Sequence, residues 1–279
     1  MAHQIRQIDD ESINQLIAIA DRDPVKHCFL GARLELTRLG MVRPNYPDLI
    51  GFFDDGHLKS AIYLGANLIP VNTTAISRNE FANFLIKQGR RCSAIVGPAV
   101  EVMPLWQMLE RNWGSARDIR PDQPLMAISS RSDVLPDDLV RYANTSDLEI
   151  LFPACVDMFT EEVGISPISG GNVLPYRNRI AELISDKRSF VRIEHNEVVF
   201  KAEVGTIGNN VAQIQGVWVN PKFRGQGLAI PAMAAVVRFI LDDIAKTASL
   251  YVNEFNKPAM ATYRRVGFEQ VDTFATIHF

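Results

Sequence analysis

Gly216-Val217-Trp218-Val219-Asn220-Pro221-Lys222-Phe223-Arg224-Gly225-Gln226-Gly227-Leu228-Ala229 is the stretch that decides the fold. It reads as strand, loop, helix. Ile214 to Val219 is rich in β-branched and aromatic residues, the composition of a strand. Asn220-Pro221 stops it. After the two glycines that flank Gln226, residues Met233, Val236, Val237, Ile240, Leu241 and Ile244 recur at helical spacing. This predicts an amphipathic helix from Leu228 to about Ala245. Pro231 fits only its first turn, where a missing N–H is harmless. A glycine loop feeding a helix N-terminus lets several backbone N–H groups point at one anion, and the helix dipole favours negative charge there. The stretch therefore predicts a phosphate cradle at the carboxyl end of a strand, where open α/β sheets hold ligands.

Two common phosphate templates do not fit. Gly225-Gln226-Gly227 lacks the third glycine of the dinucleotide fingerprint, and no G-x-x-x-x-G-K-S/T run occurs. Outward from the loop, the same unit reads as a strand (Leu139 to Ala143), a helix (Ser146 to Val163, with Thr145 as its N-cap) and a Gly/Pro-rich loop (Gly164 to Pro175). A helix (Tyr176 to Asp186) and two strands about Glu194-His195-Asn196-Glu197 come next. Past the cradle helix stand a strand (Ser249 to Val252), a helix (Pro258 to Val266) and a final pair of short strands (Phe268 to Phe279). An antiparallel sheet with a parallel βαβ inserted makes a mixed α/β fold.

Upstream, Ser130 to Asp138 is polar with a proline and is the best linker candidate, giving domains at 1–130 and 139–279. The N-terminal domain reads as α/β. Two helices (Asp10 to Ala20, Val25 to Leu39) precede a loop at Arg43 to Pro47. A hairpin about Asp54-Asp55-Gly56-His57 follows, then helix, strand (Cys92 to Val96), helix, and strand (Leu125 to Ser129). That order matches a degenerate copy of the second unit; an unrelated α/β domain is the alternative. No Arg-x-x-Gly-x-Ala loop precedes Ala143, so this unit is not expected to bind a coenzyme in the same way.

Composition narrows the function classes. The 279 residues suffice for two domains, and with 47% apolar and 22% charged residues they are typical of a globular protein. A net charge of −3 gives no basic surface for duplex nucleic acid, so no nucleic-acid partner is expected. No apolar run reaches the length of a membrane span. Met1 to Glu11 is polar and acidic and reads as no signal peptide. Cys28, Cys92 and Cys155 show neither disulfide nor zinc spacing, fit buried small hydrophobes, and suit a reducing cytoplasm. The histidines form no metal-ligating pattern, and no metal site is expected.

Arg224-x-x-Gly227-x-Ala229 resembles the pyrophosphate loop of the GNAT acyltransferases: Arg or Gln, two residues, Gly, one residue, Gly or Ala. Downstream, Asn256-x-x-Ala259-x-x-x-Tyr263-x-x-x-Gly267-Phe268 continues the resemblance, which covers Leu139 to Phe279. The order of a unit without the loop followed by one with it is similar to actinobacterial two-domain GNAT proteins. The resemblance implies a GNAT fold and acetyl-CoA as acyl donor. Its phosphates would sit on the backbone N–H groups of Gly225, Gln226, Gly227, Leu228 and Ala229, with Arg224 adding positive charge. Val217, Trp218 and Val219 would supply backbone partners to the pantetheine arm, and the Val217 N–H would polarise the thioester carbonyl. Asn256 would bond the coenzyme arm, and Tyr263, about 10 Å further along the helix by its rise per residue, would be the general acid for the leaving thiolate. The alternative for Tyr263 is a core aromatic with a satisfied hydroxyl.

Glu203, in Phe200-Lys201-Ala202-Glu203-Val204, is the candidate general base, since a buried strand carboxylate is unusual without a purpose. A hydrogen bond to a backbone edge or to Lys201 is the alternative. Glu161 and Glu162 end the first helix of this unit beside the loop where GNATs bind acceptors; a solvated helix end is the reading preferred for them. Together these residues describe a cytoplasmic N-acetyltransferase acting on a primary amine of a small molecule or peptide, by direct attack in a ternary complex. The alternative from another class is a regulatory or scaffolding protein that binds acyl-CoA without turnover. An acyl-CoA hydrolase is weaker, because no Ser/His/Asp arrangement is evident.

Overall fold

The computed structural model describes residues 3–38 and 48–279. Contacts divide the chain into two compact units. The first holds Met1–Met126, Tyr251–Lys257 and Gln270–Phe279; the second holds Ala127–Leu250 and Pro258–Glu269. The division read from the sequence puts those two later segments in the second domain. Among the described residues no helix is long and apolar enough to cross a membrane.

The first unit opens with β1 (His3–Gln7), α1 (Asp10–Ala20) and α2 (Cys28–Arg38). Asp9 caps α1 by accepting from the Ser12 N–H at 2.9 Å. The loop expected at 43–47 lies outside the described residues. β2 (Leu49–Asp54) and β3 (His57–Leu64) form the hairpin that Asp-Gly predicts, with φ of 47° at Asp55 and 79° at Gly56. Then come β4 (Asn67–Val71), α3 (Ala75–Gln88), β5 (Ala94–Pro98), α4 (Ala99–Trp113) and β6 (Asp118–Ile128). The sequence reading lacks β4, because Pro70 argues against a strand. The proline is tolerated since β4 pairs with β5 only at Asn67 and Leu68.

The second unit contains β7 (Arg141–Tyr142), α5 (Leu148–Val163), α6 (Leu174–Ser185), β8 (Ser189–Glu194), β9 (Glu197–Gly208), β10 (Val211–Val219), α7 (Ala229–Phe239), β11 (Thr247–Tyr251) and α8 (Lys257–Val266). A short 3-10 turn, Thr145–Asp147, precedes α5. Its cap is Asn144 and not Thr145: Asn144 accepts from Ser146 N–H, and Asp147 accepts from Asn144 N–H. β8, β9 and β10 are antiparallel neighbours, whereas β10 and β11 run parallel with α7 as their crossover. This is the mixed α/β sheet expected. α5 and α6 cover one face, where Leu151, Cys155, Met158 and Ile184 pack on Val191, Val198 and Trp218. The supposed linker is tied down within this unit: Arg131 pairs with Asp242, Asp137 pairs with Arg192, and Ser132 Oγ donates to Val266 O.

The last strand, β12 (Glu269–His278), is one long strand and not two short ones. Its residues Phe274 to His278 run antiparallel to Pro98–Ala94 of β5. Ala275 and Ile277 are fully buried in the first unit's core with Phe81, Ile95, Leu105 and Leu109. Phe279 then sets its ring edge-on against Trp106 and Trp113.

His27, 7% exposed, gives the first unit a pH dependence. Burial pushes its imidazole down to about 4, and the nearby Asp23 and Asp272 carboxylates do not offset this. The unfolded chain takes up the proton near the ordinary value of about 6.5, the folded chain only near 4. Stability is therefore whole above the unfolded value and falls as pH drops through this window, by up to about 3 kcal/mol. Denaturant unfolding across the window should show this fall in the wild type and a flatter profile in His27→Phe; identical profiles would remove His27 as its source.

Candidate functional site

β10 is irregular where the chemistry was expected. Gln215 pairs with Glu203 and Trp218 with Lys201, so Gly216 and Val217 together face the single residue Ala202. This bulge needs a residue at positive φ, and Gly216 supplies it at 57°. On its other edge β10 pairs with β11 only from Val211 to Gln213. Beyond Gln213 no strand pairing occupies that edge among the described residues, so the backbone of 214–218 is open to a partner there.

The loop past Asn220 has the backbone form of a nest. Asn220 accepts from Lys222 N–H at 3.1 Å and shapes the turn. Gly225 and Gly227 take φ of 75° and 76°, and nothing lies within 4 Å of where a Cβ would stand on either. Among the described residues, the N–H groups of residues 225–228 make no backbone hydrogen bond. Alternating backbone handedness just before a helix turns such donors toward one point.

Arg224 is engaged by partners within the second unit. Its Nε donates to Val219 O at 2.9 Å and its Nη2 to Glu161 Oε2 at 2.7 Å. Trp218 Nε1 donates to the same Glu161 oxygen at 3.3 Å. The Arg224 hydrogen bond, foremost, holds the Glu161 carboxyl below its usual range. Lys222 is engaged by Glu197 at 2.6 Å.

Glu203 is 5% exposed and lies under the bulge. Its Oε1 is 2.5 Å from Nζ of Lys201, which is completely buried. The ammonium makes no well-angled hydrogen bond despite the close contact. Burial opposes its charge, but the Glu203 carboxylate beside it outweighs burial and holds Lys201 above its ordinary value. A Cβ on Gly216 would sit 3.0 Å from Met158 Cε and 3.2 Å from Lys201 Nζ, so the pair fills the space that the missing side chain leaves. Cys155 Sγ donates to Glu203 Oε1 at 3.5 Å, and burial pushes this thiol up to about 12, which keeps it neutral and unreactive. The pairing was visible in sequence as Lys and Glu two residues apart on one strand face; the part of Cys155 carried no signal. Removing one partner of such a pair strands a buried charge. Glu203→Leu is therefore expected to cost about 3–5 kcal/mol in denaturant unfolding, and Lys201→Met with Glu203→Leu to recover most of it. A double variant as unstable as the single would mean that packing, not charge, sets the cost.

Tyr263, on α8, is 7% exposed, its ring edge-on to Phe268 with centroids 5.9 Å apart. Its hydroxyl makes no hydrogen bond to another described residue. Burial, and then the charge of Glu162, raise its pKa and keep the proton on the oxygen. Asn256 is exposed, immediately precedes α8, and belongs by contacts to the first unit. The bulge, the glycine loop, Arg224, Glu203 and Tyr263 all belong to the second unit.

Residues 158–268 match the acetyltransferase (GNAT) family, and residues 47–151 match a domain of unknown function, DUF4081. The chain is similar to a GCN5-related N-acetyltransferase from Sphaerobacter thermophilus, with a TM-score of 0.65 at 13% identity over 99% of this chain and 95% of that one. It is similar to an acetyltransferase of the GNAT family from Colwellia psychrerythraea, with a TM-score of 0.57 at 13% identity over 99% of both chains. A tandem GNAT protein from the clavulanic acid biosynthesis pathway gives a TM-score of 0.55 at 13% identity over 99% of this chain and 98% of that one. At such identities the likeness establishes the fold, and it does so for the first unit as well as the second. No curated protein matches the sequence.

Proposed function

We propose that this chain, which carries a GNAT acetyltransferase domain over residues 158–268, is an N-acetyltransferase that moves the acetyl group of acetyl-CoA to a primary amine by direct attack in a ternary complex. The residues present fit the coenzyme: a nest of free N–H groups suits a pyrophosphate, and an open strand edge suits a chain of amides. Acetyl-CoA would supply an acetyl group already activated as a thioester. Residues 225–228 hold phosphate through their N–H groups. The 217–219 backbone positions the arm, and the Val217 N–H, freed by the bulge, polarises the thioester carbonyl. Asn256 bonds the coenzyme arm. Tyr263 keeps its proton at neutral pH and gives it to the departing sulfur, and the proton that the attacking nitrogen loses on forming the amide restores the phenol. Cytoplasmic residence is in keeping with three buried free thiols.

The observation that carries this reading is the bulged strand, open on one edge, that runs directly into the glycine nest. A second reading, an acyl-CoA-binding protein without turnover, draws on Glu203: the candidate base is already committed to Lys201. One experiment separates the two. Purified protein with acetyl-CoA is screened against amine and peptide panels for release of free thiol. Amine-dependent thiol supports the enzyme; saturable coenzyme binding with no thiol from any panel supports the binder.

A further inference from the structure

The loop that holds the nest carries two cations, and both face acids. Lys222 meets Glu197, and Arg224 meets Glu161. A guanidinium already in contact with a carboxylate adds little net positive potential to a phosphate beside it. The carboxylate itself would repel the phosphate. If Arg224 served phosphate directly, Glu161 would therefore be a liability.

The contacts describe a different device. A single oxygen of Glu161 accepts from Arg224 Nη2 and from the Trp218 indole, while Arg224 Nε holds Val219 O. Three consecutive pieces of the binding surface are joined there: the end of α5, the end of β10, and the first residue of the nest loop. Meanwhile the N–H groups of residues 225–228 carry no backbone bond among the described residues and remain available.

We propose that Glu161 is a positioning residue for the coenzyme: it holds Arg224 against the end of β10, and phosphate is taken by backbone N–H groups and not by the guanidinium. This rests on the coenzyme reading above. Glu161 and Arg224 are half exposed, so the clamp acts with the modest strength of a surface pair.

The test is calorimetric titration of coenzyme A into the full chain at low and moderate salt, with thermal unfolding recorded alongside. Wild type, Glu161→Gln, Arg224→Gln and the double variant are compared. Each single variant is expected to weaken Kd by about three- to fivefold, the effect of losing one exposed pair. The double variant should be no weaker than either single, Tm should hardly change, and the salt dependence of Kd should match the wild type. Tighter or unchanged binding by Glu161→Gln overturns the proposal, as does a flattened salt dependence in Arg224→Gln. Wild-type protein that binds no coenzyme A overturns the coenzyme reading itself, a distinct result.

Discussion

Tyr263→Phe is expected to lower kcat about 100-fold, within the span typical of general acids, while acetyl-CoA affinity stays nearly unchanged. The phenol ring is buried against Phe268, and phenylalanine keeps that packing. What the substitution deletes is a hydroxyl that no other group in the described structure uses. Burial and the Glu162 charge keep that hydroxyl protonated, so near neutral pH it can donate but not accept a proton. A donor needed only as sulfur departs contributes to turnover and not to ground-state binding. The measurement is kcat with an amine found by the thiol-release screen, beside the coenzyme dissociation constant of the same variant. Wild-type turnover would leave Tyr263 as a core aromatic and remove the acid.

Gly227→Val is expected to weaken coenzyme A binding about 100-fold, from backbone strain of about 1–3 kcal/mol and the loss of charge-assisted hydrogen bonds worth about 1.5–3 kcal/mol each. The chain itself raises no clash, since a Cβ at Gly227 meets none of its atoms within 4 Å. The cause is the φ of 76°, which a β-branched residue does not tolerate. The loop must then leave its handedness, and its N–H groups turn away from their common point. Gly227→Ala, less constrained, should lose less. The loop is exposed, so Tm should move little. Calorimetric titration showing wild-type affinity in Gly227→Val would end the assignment of the nest.

Much of this was legible because the signals are local. Asp55-Gly56 dictates its hairpin through φ alone, and Arg224 to Ala229 announces a strand-to-helix turn through its glycines. The mixed sheet follows from the order of periodic runs. What was not legible depends on partners far along the chain. Phe268 to Phe279 read as two short strands, yet β12 is one strand from Glu269 to His278, whose second half pairs with β5 far back along the chain. Pro70 hid β4, since only tertiary pairing shows which of its backbone groups need partners. Arg224 was assigned to phosphate by its place in a pattern. Its true neighbours, Glu161 and Val219, depend on how α5 lies over β10. The sequence named Glu203 and Lys201 as possible partners, but their seat beneath Gly216 required the register of three strands.

The strand β12 has a consequence for how the protein is made. Translation releases a chain from its amino end, and domains ordinarily fold as they emerge. Here the β5 edge and the pocket among Phe81, Ile95 and Leu105 wait for Ala275 and Ile277, which are made only after the whole of the second unit. Throughout synthesis of the rest, that edge is an unpaired template of the kind that recruits foreign strands. A nascent chain of this protein therefore depends on protection while the residues between β5 and β12 are made, and a chain that stops before Phe274 leaves the earlier-made unit without one of its strands.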